Sequence, residues 1–356
     1  MKIIHVVYSL EMGGAETLVA QLCRLQRKHG HDVSIIAYSV LGSLGKRLIE
    51  EGIPVLVLGE TPLPRTVLRY LKEFRRLRPE VVHCHNPAPT LQAAIPARLA
   101  GARSVVSTRH SLVAPPYDLR AERAYNFVAR FCSWVVGICE ATCENLRGTP
   151  GAESRRIVRV YNGVDPVTPA APSDRPEKLG LTLLFVGRLA AIKNLQTLVS
   201  AAALAAPRVP GLQLWIVGDG PERPMLEALA TELGLKDSIT FWGERLDVAG
   251  FFSVADIFCM SSTSEGLPMS LLQAMSTGLP AITTDVGGMA EAVRIADAGF
   301  TTPVGDSAAM AEAIVQLALD ENQRERFAEN ARNAYREHFT LEQMDASYMY
   351  LYERRR

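Results

Sequence analysis

Short apolar runs alternate with longer amphipathic segments along most of this 356-residue chain, and this alternation constrains the fold more than any other feature. The runs have the length of buried strands, and the segments between them carry the apolar period of helices. Such strand–helix–strand units form right-handed crossovers, which build parallel sheets covered by helices on both faces. The predicted strands are 2–8, 32–38, 53–58, 80–84, 103–107, 133–138, 157–160, 181–186, 212–217, 238–242, 256–260 and 279–284. The predicted helices include 15–29, 66–77, 194–204, 222–233 and 268–277, with a terminal amphipathic helix from His338 to Arg356.

A proline-rich segment interrupts the alternation. Residues 166–176 contain four prolines, which neither a helix nor a central strand tolerates, so this segment is a predicted linker. The length of the chain also fits two domains. We therefore predict two doubly wound α/β domains, 1–165 and 166–339, with ligands bound beyond the carboxyl ends of the strands in a cleft between the domains. The apolar period leaves open whether segment 340–356 packs on its own domain or returns to the first.

Composition and charge indicate the class of protein. Hydrophobic residues make up 48% of the chain and charged residues 21%, as in a folded globular protein. The net charge of zero hides an asymmetry, because residues 1–165 carry 22 Lys and Arg against 14 Asp and Glu, and residues 166–356 carry 16 against 24. The basic half indicates either an anionic acceptor or membrane surface, or scattered solvated charges. The segment 64–78, with six cations and one acid, is either an ordinary surface helix or a docking face for anionic lipid.

The six cysteines show neither Cys-x-x-Cys pairs nor zinc spacing, which is typical of reduced thiols in a cytosolic protein. The first residues lack the apolar core of a signal peptide, and no apolar run approaches the roughly 18 residues of a membrane span. We expect a cytoplasmic protein, at most peripheral on the inner face of a membrane, with no nucleic-acid partner.

The segment from Ser264 to Met275 is the most informative motif. Glu265 stands on a loop, Gly266 and Pro268 follow it, and Gln273 lies eight positions further on within an apolar helix. Proline suits the first turn of a helix, and helix N-termini attract anions. Eight helical residues rise about 12 Å. This spacing places Glu265 at one end of an elongated phosphorylated ligand and Gln273 near the other, which indicates a nucleotide-sugar site.

Three further loops of the second half carry candidate residues. Arg188 and Lys193 follow strand 181–186, where they either bind a diphosphate, at about 1.5–3 kcal/mol for each charged hydrogen bond, or are ordinary surface cations. Gly218 and Gly220 permit a tight βα turn, and a plain turn is the alternative. Trp242 and the residues after it either flank a nucleobase or belong to the core.

Two loops of the first half also qualify. Gly13 and Gly14 follow strand one and permit close approach of the backbone to a phosphate or sugar. His110 lies at the carboxyl end of a strand and faces the predicted cleft, and a buried, hydrogen-bonded histidine is the alternative. For His83 and His85, a metal site has little support because no carboxylates lie nearby in the sequence.

Taken in order, these motifs resemble the retaining glycosyltransferases of the GT-B fold, a large family that includes many bacterial polysaccharide- and lipid-glycosylating enzymes. The resemblance covers nearly the whole chain. It rests on Gly13-Gly14-Ala15-Glu16, Val82-His83-Cys84-His85-Asn86, Asn162-Gly163-Val164-Asp165, Gly187-Arg188 with Lys193, Gly218-Asp219-Gly220-Pro221, Ala255-Asp256, Glu265-Gly266-Leu267-Pro268 through Gln273-Ala274-Met275, and Gly287-Gly288 with Glu291.

The resemblance implies a role for each catalytic candidate. Arg188 and Lys193 would bind the donor diphosphate, and Glu265 would accept hydrogen bonds from hydroxyls of the transferred sugar. Gln273 stands where the family usually has a second Glu for the ribose, and its amide lacks the strength of a carboxylate. His110 would contact the sugar or the developing charge. The remaining donor contacts would be Gly13, Gly14, Gly187, Gly218, Gly243, Arg245, Gly266, Leu267, Pro268 and Met269.

The resemblance thus predicts a retaining, metal-independent transferase that moves a sugar from a nucleoside diphosphate, UDP by default, to a hydroxyl of a polysaccharide, lipid-linked or small glycan. No separate cofactor is expected, and segment 340–356 would pack back on the acceptor-side first domain. The acceptor pocket is expected on loops such as 40–50 and 111–121. Gln273 keeps open the alternative of a non-catalytic nucleotide- or carbohydrate-binding protein. A sugar epimerase or phosphorylase fits the motif order less well.

Overall fold

The chain divides into two compact units in the computed structural model, which describes residues 1–112 and 118–354. The first unit combines Met1–Val164 with Thr340–Arg356, and the second is Asp165–Phe339. The predicted acceptor loop 111–121 lies partly outside the described residues, as do the last two positions of the predicted terminal helix.

The first unit is a seven-stranded parallel sheet with helices between successive strands. Its strands are β1 (Lys2–Val7), β2 (Asp32–Ala37), β3 (Val55–Val57), β4 (Val81–His85), β5 (Ser104–Arg109), β6 (Trp134–Gly137) and β7 (Ile157–Arg159). Its first six helices are α1 (Gly14–Lys28), α2 (Gly42–Glu50), α3 (Leu63–Leu77), α4 (Pro87–Leu99), α5 (Leu119–Ala129) and α6 (Glu140–Arg147). The strand order is β3-β2-β1-β4-β5-β6-β7.

The second unit repeats this architecture with six parallel strands. Its strands are β8 (Thr182–Val186), β9 (Gln213–Val217), β10 (Ile239–Gly243), β11 (Ile257–Met260), β12 (Ala281–Thr284) and β13 (Gly299–Thr302). Its helices are α7 (Leu195–Ala205), α8 (Arg223–Glu232), α9 (Ala249–Val254), α10 (Met269–Thr277), α11 (Gly287–Ala296), α12 (Ser307–Leu319) and α13 (Glu321–His338). The strand order is β10-β9-β8-β11-β12-β13.

The strands are apolar along their whole length because both faces of each sheet are covered. Ile3 and Ile4 of β1 are fully buried although they point to opposite faces, and Leu183 and Leu184 of β8 behave in the same way. This explains why the strands read as continuous apolar runs in the sequence. The prediction of two doubly wound α/β domains is confirmed.

The strand order reverses once in each sheet. In the first unit β1 pairs with both β2 and β4, and in the second β8 pairs with both β9 and β11. The connections on the two sides of such a strand leave in opposite directions, which opens a crevice at the carboxyl ends of the strands. The loops after β8 and β11 therefore border the expected ligand site of the second unit.

The last helix, α14 (Leu341–Glu353), belongs to the first unit and packs on α1 and β5. Its buried face carries Tyr348 and Tyr352, whereas Tyr350 is 52% exposed. The indole Nε1 of Trp134 donates to the carbonyl of Leu351 at 3.1 Å, which fixes the end of this helix against β6.

Several details differ from the predicted elements or add to them. The sequence did not predict β13, whose four residues begin with a glycine and give a weak strand pattern. The predicted terminal helix begins three residues later than predicted, at Leu341, because α13 ends at His338 and the Thr340 side chain caps the start of α14 by accepting from the Gln343 N–H. Within 166–176 the structure has only a short 3₁₀ turn, Pro172–Asp174.

All six cysteines are buried thiols. Among the helices of residues 1–112 and 118–354, none combines the length and apolar character that a membrane span requires.

Candidate functional site

Two charged residues from different loops meet at the strand reversal of the second unit. The Lys193 ammonium, from the loop after β8, forms an ion pair with the Glu265 carboxylate, from the loop after β11. Their side chains are 18% and 17% exposed, so the pair is mostly shielded from solvent. The Ser262 hydroxyl approaches the same carboxylate at 3.5 Å. The structure thus brings together two of the predicted catalytic residues.

Backbone contacts hold the Lys193 loop in place. The Ser261 hydroxyl donates to the carbonyls of Lys193 and Asn194, at 3.1 and 2.9 Å, and the Thr263 N–H donates to the carbonyl of Ile192 at 2.9 Å. Asn194 adopts a left-handed conformation, φ 47°, immediately before α7 begins. This turn directs the Lys193 side chain toward the β11 loop instead of along the helix.

Arg188 supplies a second cation to the same loop. Its side chain is exposed and forms no hydrogen bond or ion pair with any described residue, whereas its neighbour Leu189 is fully buried. The buried leucine anchors the backbone, so the arginine is held at the loop surface. Its guanidinium is therefore free to bind an anion.

Glycines allow the loops after β8, β9 and β10 to approach closely. A Cβ at Gly218 would collide with the carbonyl oxygen of Gly187, and one at Gly220 with that of Leu189. The Gly218 N–H donates to the carbonyl of Gly243 at 2.8 Å, and Gly243 has a φ of 68°. Gly187, Gly218 and Gly243 thus lie together, and the two glycines of the β9 loop are required by loop packing as well as by the turn.

Two helices begin at this edge of the sheet. Helix α10 starts directly after Pro268, and α11 starts at Gly287. The Gly288 N–H donates to the carbonyl of Gly266 at 2.6 Å, which ties the two beginnings together. A helix N-terminus carries partial positive charge and unpaired N–H groups. The predicted segment Gly266, Leu267, Pro268, Met269 therefore lies next to a positive region of the backbone.

Other predicted residues of the second unit take no part in the Lys193–Glu265 ion pair. Gln273 lies in the second turn of α10, half-buried, and its side chain makes no hydrogen bond to the described residues. The Arg245 guanidinium binds both carboxylate oxygens of Asp247, at 2.9 and 2.8 Å. The half-buried Trp242 ring packs edge-on against Phe251 and Trp215, with centroids 5.0 and 5.8 Å apart.

In the first unit, Gly13 and Gly14 precede and begin α1. A Cβ at Gly14 would meet no atom within 4 Å, and one at Gly13 would meet only the Glu16 side chain. Packing therefore does not require glycine at Gly14.

His110 follows β5 and is partly exposed. Its backbone N–H donates to Asn86 Oδ1 at 3.1 Å, and its Nε2 lies 3.1 Å from His85 Nδ1. Burial lowers the pKa of His110 to about 4, so its ring is neutral near pH 7.

Three buried histidines behind His110 form a cluster that the sequence did not predict. His5, His83 and His85 lie with one nitrogen each within 4.8 Å of the others, a spacing that a metal ion would accept. Every ring nitrogen of the three already has a hydrogen-bond partner, however: His83 contacts the hydroxyls of Tyr352 and Thr108, both at 2.7 Å. The structure therefore contains a hydrogen-bonded network here. Its sequence signal is a histidine in the middle of an otherwise apolar buried strand.

Comparison with known proteins identifies the family. The family model described as "Glycosyl transferases group 1" matches residues 173–334, and "Glycosyltransferase Family 4" matches residues 12–167. EpsD of Bacillus subtilis is 30% identical over 255 residues, which cover 67% of this chain and 67% of EpsD. The chain belongs to the group 1 glycosyl transferases. Lipopolysaccharide core biosynthesis glycosyltransferase LpsE of Rhizobium meliloti is 32% identical over 202 residues, 55% of this chain and 57% of LpsE.

A solved structure shares the fold of this group 1 member. HepE from Anabaena, crystallised in complex with UDP, superposes with a TM-score of 0.87 at 22% identity, over 98% of this chain and 99% of HepE. This likeness confirms the predicted two-domain GT-B fold. The group 1 match, residues 173–334, contains Arg188, Lys193, Glu265 and Gln273.

Proposed function

We propose that the protein transfers a glycosyl group from a nucleoside diphosphate sugar to an acceptor hydroxyl, with retention of the anomeric configuration and without a metal ion. The observation that carries this proposal is the Lys193–Glu265 pair at the strand reversal of the second unit, with the exposed Arg188 on the same loop as Lys193. Two cations and two helix N-termini suit a diphosphate, and a carboxylate suits sugar hydroxyls. The UDP bound to HepE makes UDP the first nucleotide to test.

In the proposed reaction, the bond between the anomeric carbon and the diphosphate oxygen breaks, and the acceptor oxygen bonds to the same face of that carbon. The proton of the acceptor hydroxyl passes to the departing diphosphate. The transition state carries positive charge on the sugar ring and negative charge on the diphosphate. Arg188, Lys193 and the start of α10 stabilise the negative charge, the task that a metal ion performs in other enzymes.

The donor also determines the fate of the ion pair. A diphosphate carries more negative charge than one carboxylate, so it takes over the Lys193 ammonium. The Glu265 carboxylate is then available to accept hydrogen bonds from hydroxyls of the transferred sugar. Gln273, whose side chain has no partner among the described residues, binds the ribose hydroxyls.

The remaining proposed donor contacts are less constrained. Gly187, Gly218, Gly243 and the 266–269 segment present backbone to the nucleotide, and Gly13 and Gly14 permit close approach of the backbone to a phosphate or sugar. Arg245 joins them only if it leaves Asp247. His110 accepts a hydrogen bond from a substrate hydroxyl. The acceptor is a polysaccharide, a lipid-linked glycan or a small glycan.

The test is release of nucleotide from a panel of nucleotide sugars, beginning with UDP-glucose, with and without candidate acceptors. Arg188→Ala and Lys193→Ala should each lower turnover about a hundredfold, because each removes a group that stabilises the leaving diphosphate. Lys236→Ala, which removes an exposed cation elsewhere in the second unit, is the matched control and should retain full turnover. Near-normal turnover in both site variants would contradict the diphosphate role.

Gln273 favours a second candidate, a non-catalytic nucleotide- or carbohydrate-binding protein. At this position an amide replaces the glutamate carboxylate that usually binds the ribose in the family. The same panel separates the two. Nucleotide binding without release from any donor, in the presence of glycan acceptors, supports the binding protein, and acceptor-dependent release supports the transferase.

A further inference from the structure

A continuous chain of buried side chains leads from α14 to His110. The Gln26 amide nitrogen lies 3.0 Å from Asp345 Oδ1, and its oxygen lies 2.9 Å from His5 Nε2. His5 Nδ1 lies 3.0 Å from His85 Nε2, and His85 Nδ1 lies 3.1 Å from His110 Nε2. Asp345, Gln26, His5 and His85 are each less than 5% exposed, so no solvent molecule substitutes for these contacts.

The carboxylate at one end fixes the direction of the first two hydrogen bonds. A carboxylate accepts hydrogen bonds and donates none, so the NH₂ group of Gln26 faces Asp345. The amide oxygen then faces His5 and can only accept. Consequently, His5 carries its proton on Nε2.

The tautomer of His5 in turn determines the tautomers of His85 and His110. Burial lowers the pKa of His5 and of His110 to about 4, and it lowers the pKa of His85 well below the ordinary value, so each ring holds one proton near pH 7. With its proton on Nε2, His5 accepts at Nδ1, and His85 must donate from Nε2. His85 then accepts at Nδ1, and His110 must donate from Nε2.

We propose that Asp345, Gln26, His5 and His85 are positioning residues that hold His110 as the Nε2–H tautomer and leave its Nδ1 as a hydrogen-bond acceptor for a substrate hydroxyl. His110 Nδ1 has no partner among the described residues, and the ring is partly exposed. Only the hydroxyl contact rests on the proposed function. The tautomer follows from the hydrogen bonds alone.

The tautomer is measured without any substrate, by ¹⁵N nuclear magnetic resonance of histidine-labelled protein at pH 8. Protonated and bare ring nitrogens have distinct shifts, and the His110 signals are assigned by their loss in His110→Gln. We expect the proton of His110 on Nε2. A proton on Nδ1 in the unmodified protein overturns the proposal, whatever the variants show.

One variant should reverse the histidine tautomers, and a second should restore them. Gln26→Met removes the acceptor for His5, and a buried N–H without an acceptor is costly, so His5, His85 and His110 should each move the proton to Nδ1. The double variant Gln26→Glu with Asp345→Asn exchanges amide and carboxylate, which again leaves only an acceptor facing His5. It should restore the Nε2–H form of His110.

Tyr348→Phe is the matched control. It removes a buried hydroxyl of α14 that contacts Thr108 at 3.1 Å and takes no part in the hydrogen bonds from Asp345 to His110, so it should leave the His110 tautomer unchanged. If folded Gln26→Met keeps the proton of His110 on Nε2, the proposed positioning of His110 by Asp345, Gln26, His5 and His85 is wrong.

The hydroxyl contact is tested through turnover. Gln26→Met should lower kcat/KM about tenfold, because a donor replaces an acceptor toward the substrate, and the double variant should recover most of it. If the tautomer reverses and kcat/KM is unchanged, the contact between His110 Nδ1 and a substrate hydroxyl is refuted. The positioning of the His110 tautomer by the buried side chains would still stand. Absence of glycosyl transfer by the unmodified protein would refute the proposed function, and the resonance result would stand.

Discussion

Lys193 and Glu265 compensate each other's charge at a site that is mostly shielded from solvent. Each charge is mostly shielded from water, and a shielded charge is costly unless it is paired. The ion pair therefore offsets the cost of shielding the two charges and holds them close to where we propose that they act. In the proposed reaction, the carboxylate competes with the diphosphate of the donor for the ammonium.

This competition makes Glu265→Gln a selective test. The amide keeps the shape of the side chain and removes its charge, so Lys193 is no longer held. We expect UDP to bind as tightly as before or more tightly in titration calorimetry, whereas turnover of the UDP-sugar falls about a hundredfold. Glu329→Gln, an exposed change on α13, is the control. Undiminished turnover in Glu265→Gln would show that this carboxylate does not anchor the sugar.

At the scale of the element, the loop after β9 depends on the absence of side chains. Gly218 contacts the backbone of Gly187 so closely that a Cβ finds no room, and its φ is 132°. The loops after β8 and β9 are held together by hydrogen bonds from the Leu189 N–H to the Asp219 carbonyl, 2.9 Å, and from the Glu222 N–H to the Leu189 carbonyl, 3.0 Å.

Gly218→Ala should therefore lower the melting temperature of the protein and weaken UDP binding together, because it displaces the loop that carries Arg188. Gly305→Ala is the matched control, since Gly305 also has a positive φ, 78°, but a Cβ there would meet no atom within 4 Å. It should cost only the backbone strain, about 1 kcal/mol, and leave UDP binding intact. Equal effects of the two changes on binding would contradict the loop-packing argument.

Helix α3 carries the membrane hypothesis. Its buried face consists of Thr66, Tyr70 and Phe74, and Leu68 is 64% exposed among the cations of the opposite face. We propose that this face binds anionic lipid. Sedimentation with anionic vesicles should recover the protein, and neutral vesicles should not. Leu68→Ala with Arg69→Ala should reduce the recovery, and equal, negligible binding to both vesicle types would contradict the proposal.

The elements differ in how far the sequence determines them. The strands of both sheets were predictable because burial on two faces leaves a continuous apolar run, as in β1 and β8. Strand β13 was not, because four residues that begin with Gly299 give no periodic signal. The loops with Arg188, Lys193 and Glu265 were predictable because strand ends in parallel sheets share one edge.

The histidine chain could not be predicted in the same way. Gln26 and Asp345 lie 319 positions apart and meet only because α14 packs on α1. Local patterns carry no record of such a contact. The sequence showed only that His83, His85 and His110 lie near strand ends, and it gave no role to His5.

At the scale of the whole molecule, histidines are unevenly shared. Six of the seven lie in the first unit, and His338 is in the second. Burial lowers the pKa of His5 from 6.5 to about 4 and that of His83 and His85 well below 6.5. Between about pH 6.5 and pH 4 the unfolded chain therefore binds more protons than the folded one.

The free energy of unfolding should thus be fully retained above about pH 6.5 and should fall as the pH decreases toward 4, by about 1.4 kcal/mol per pH unit for each buried histidine. Urea unfolding between pH 7.5 and 5.5 measures this. The second unit alone, expressed as residues 165–339, is the control and should vary much less over this range. A pH-independent free energy for the whole chain would contradict the assignment of neutral buried histidines.

The return of α14 to the first unit has a consequence for synthesis on the ribosome. Residues 1–164 emerge first, yet Tyr348, Tyr352 and Asp345 are made only after the entire second unit. During translation the surface of α1 and β5 that α14 covers stays exposed until α14 has been made, whereas the second unit can complete its core earlier. We therefore expect the second unit to fold first and chaperones to bind the exposed surface of the first unit until α14 emerges from the exit tunnel.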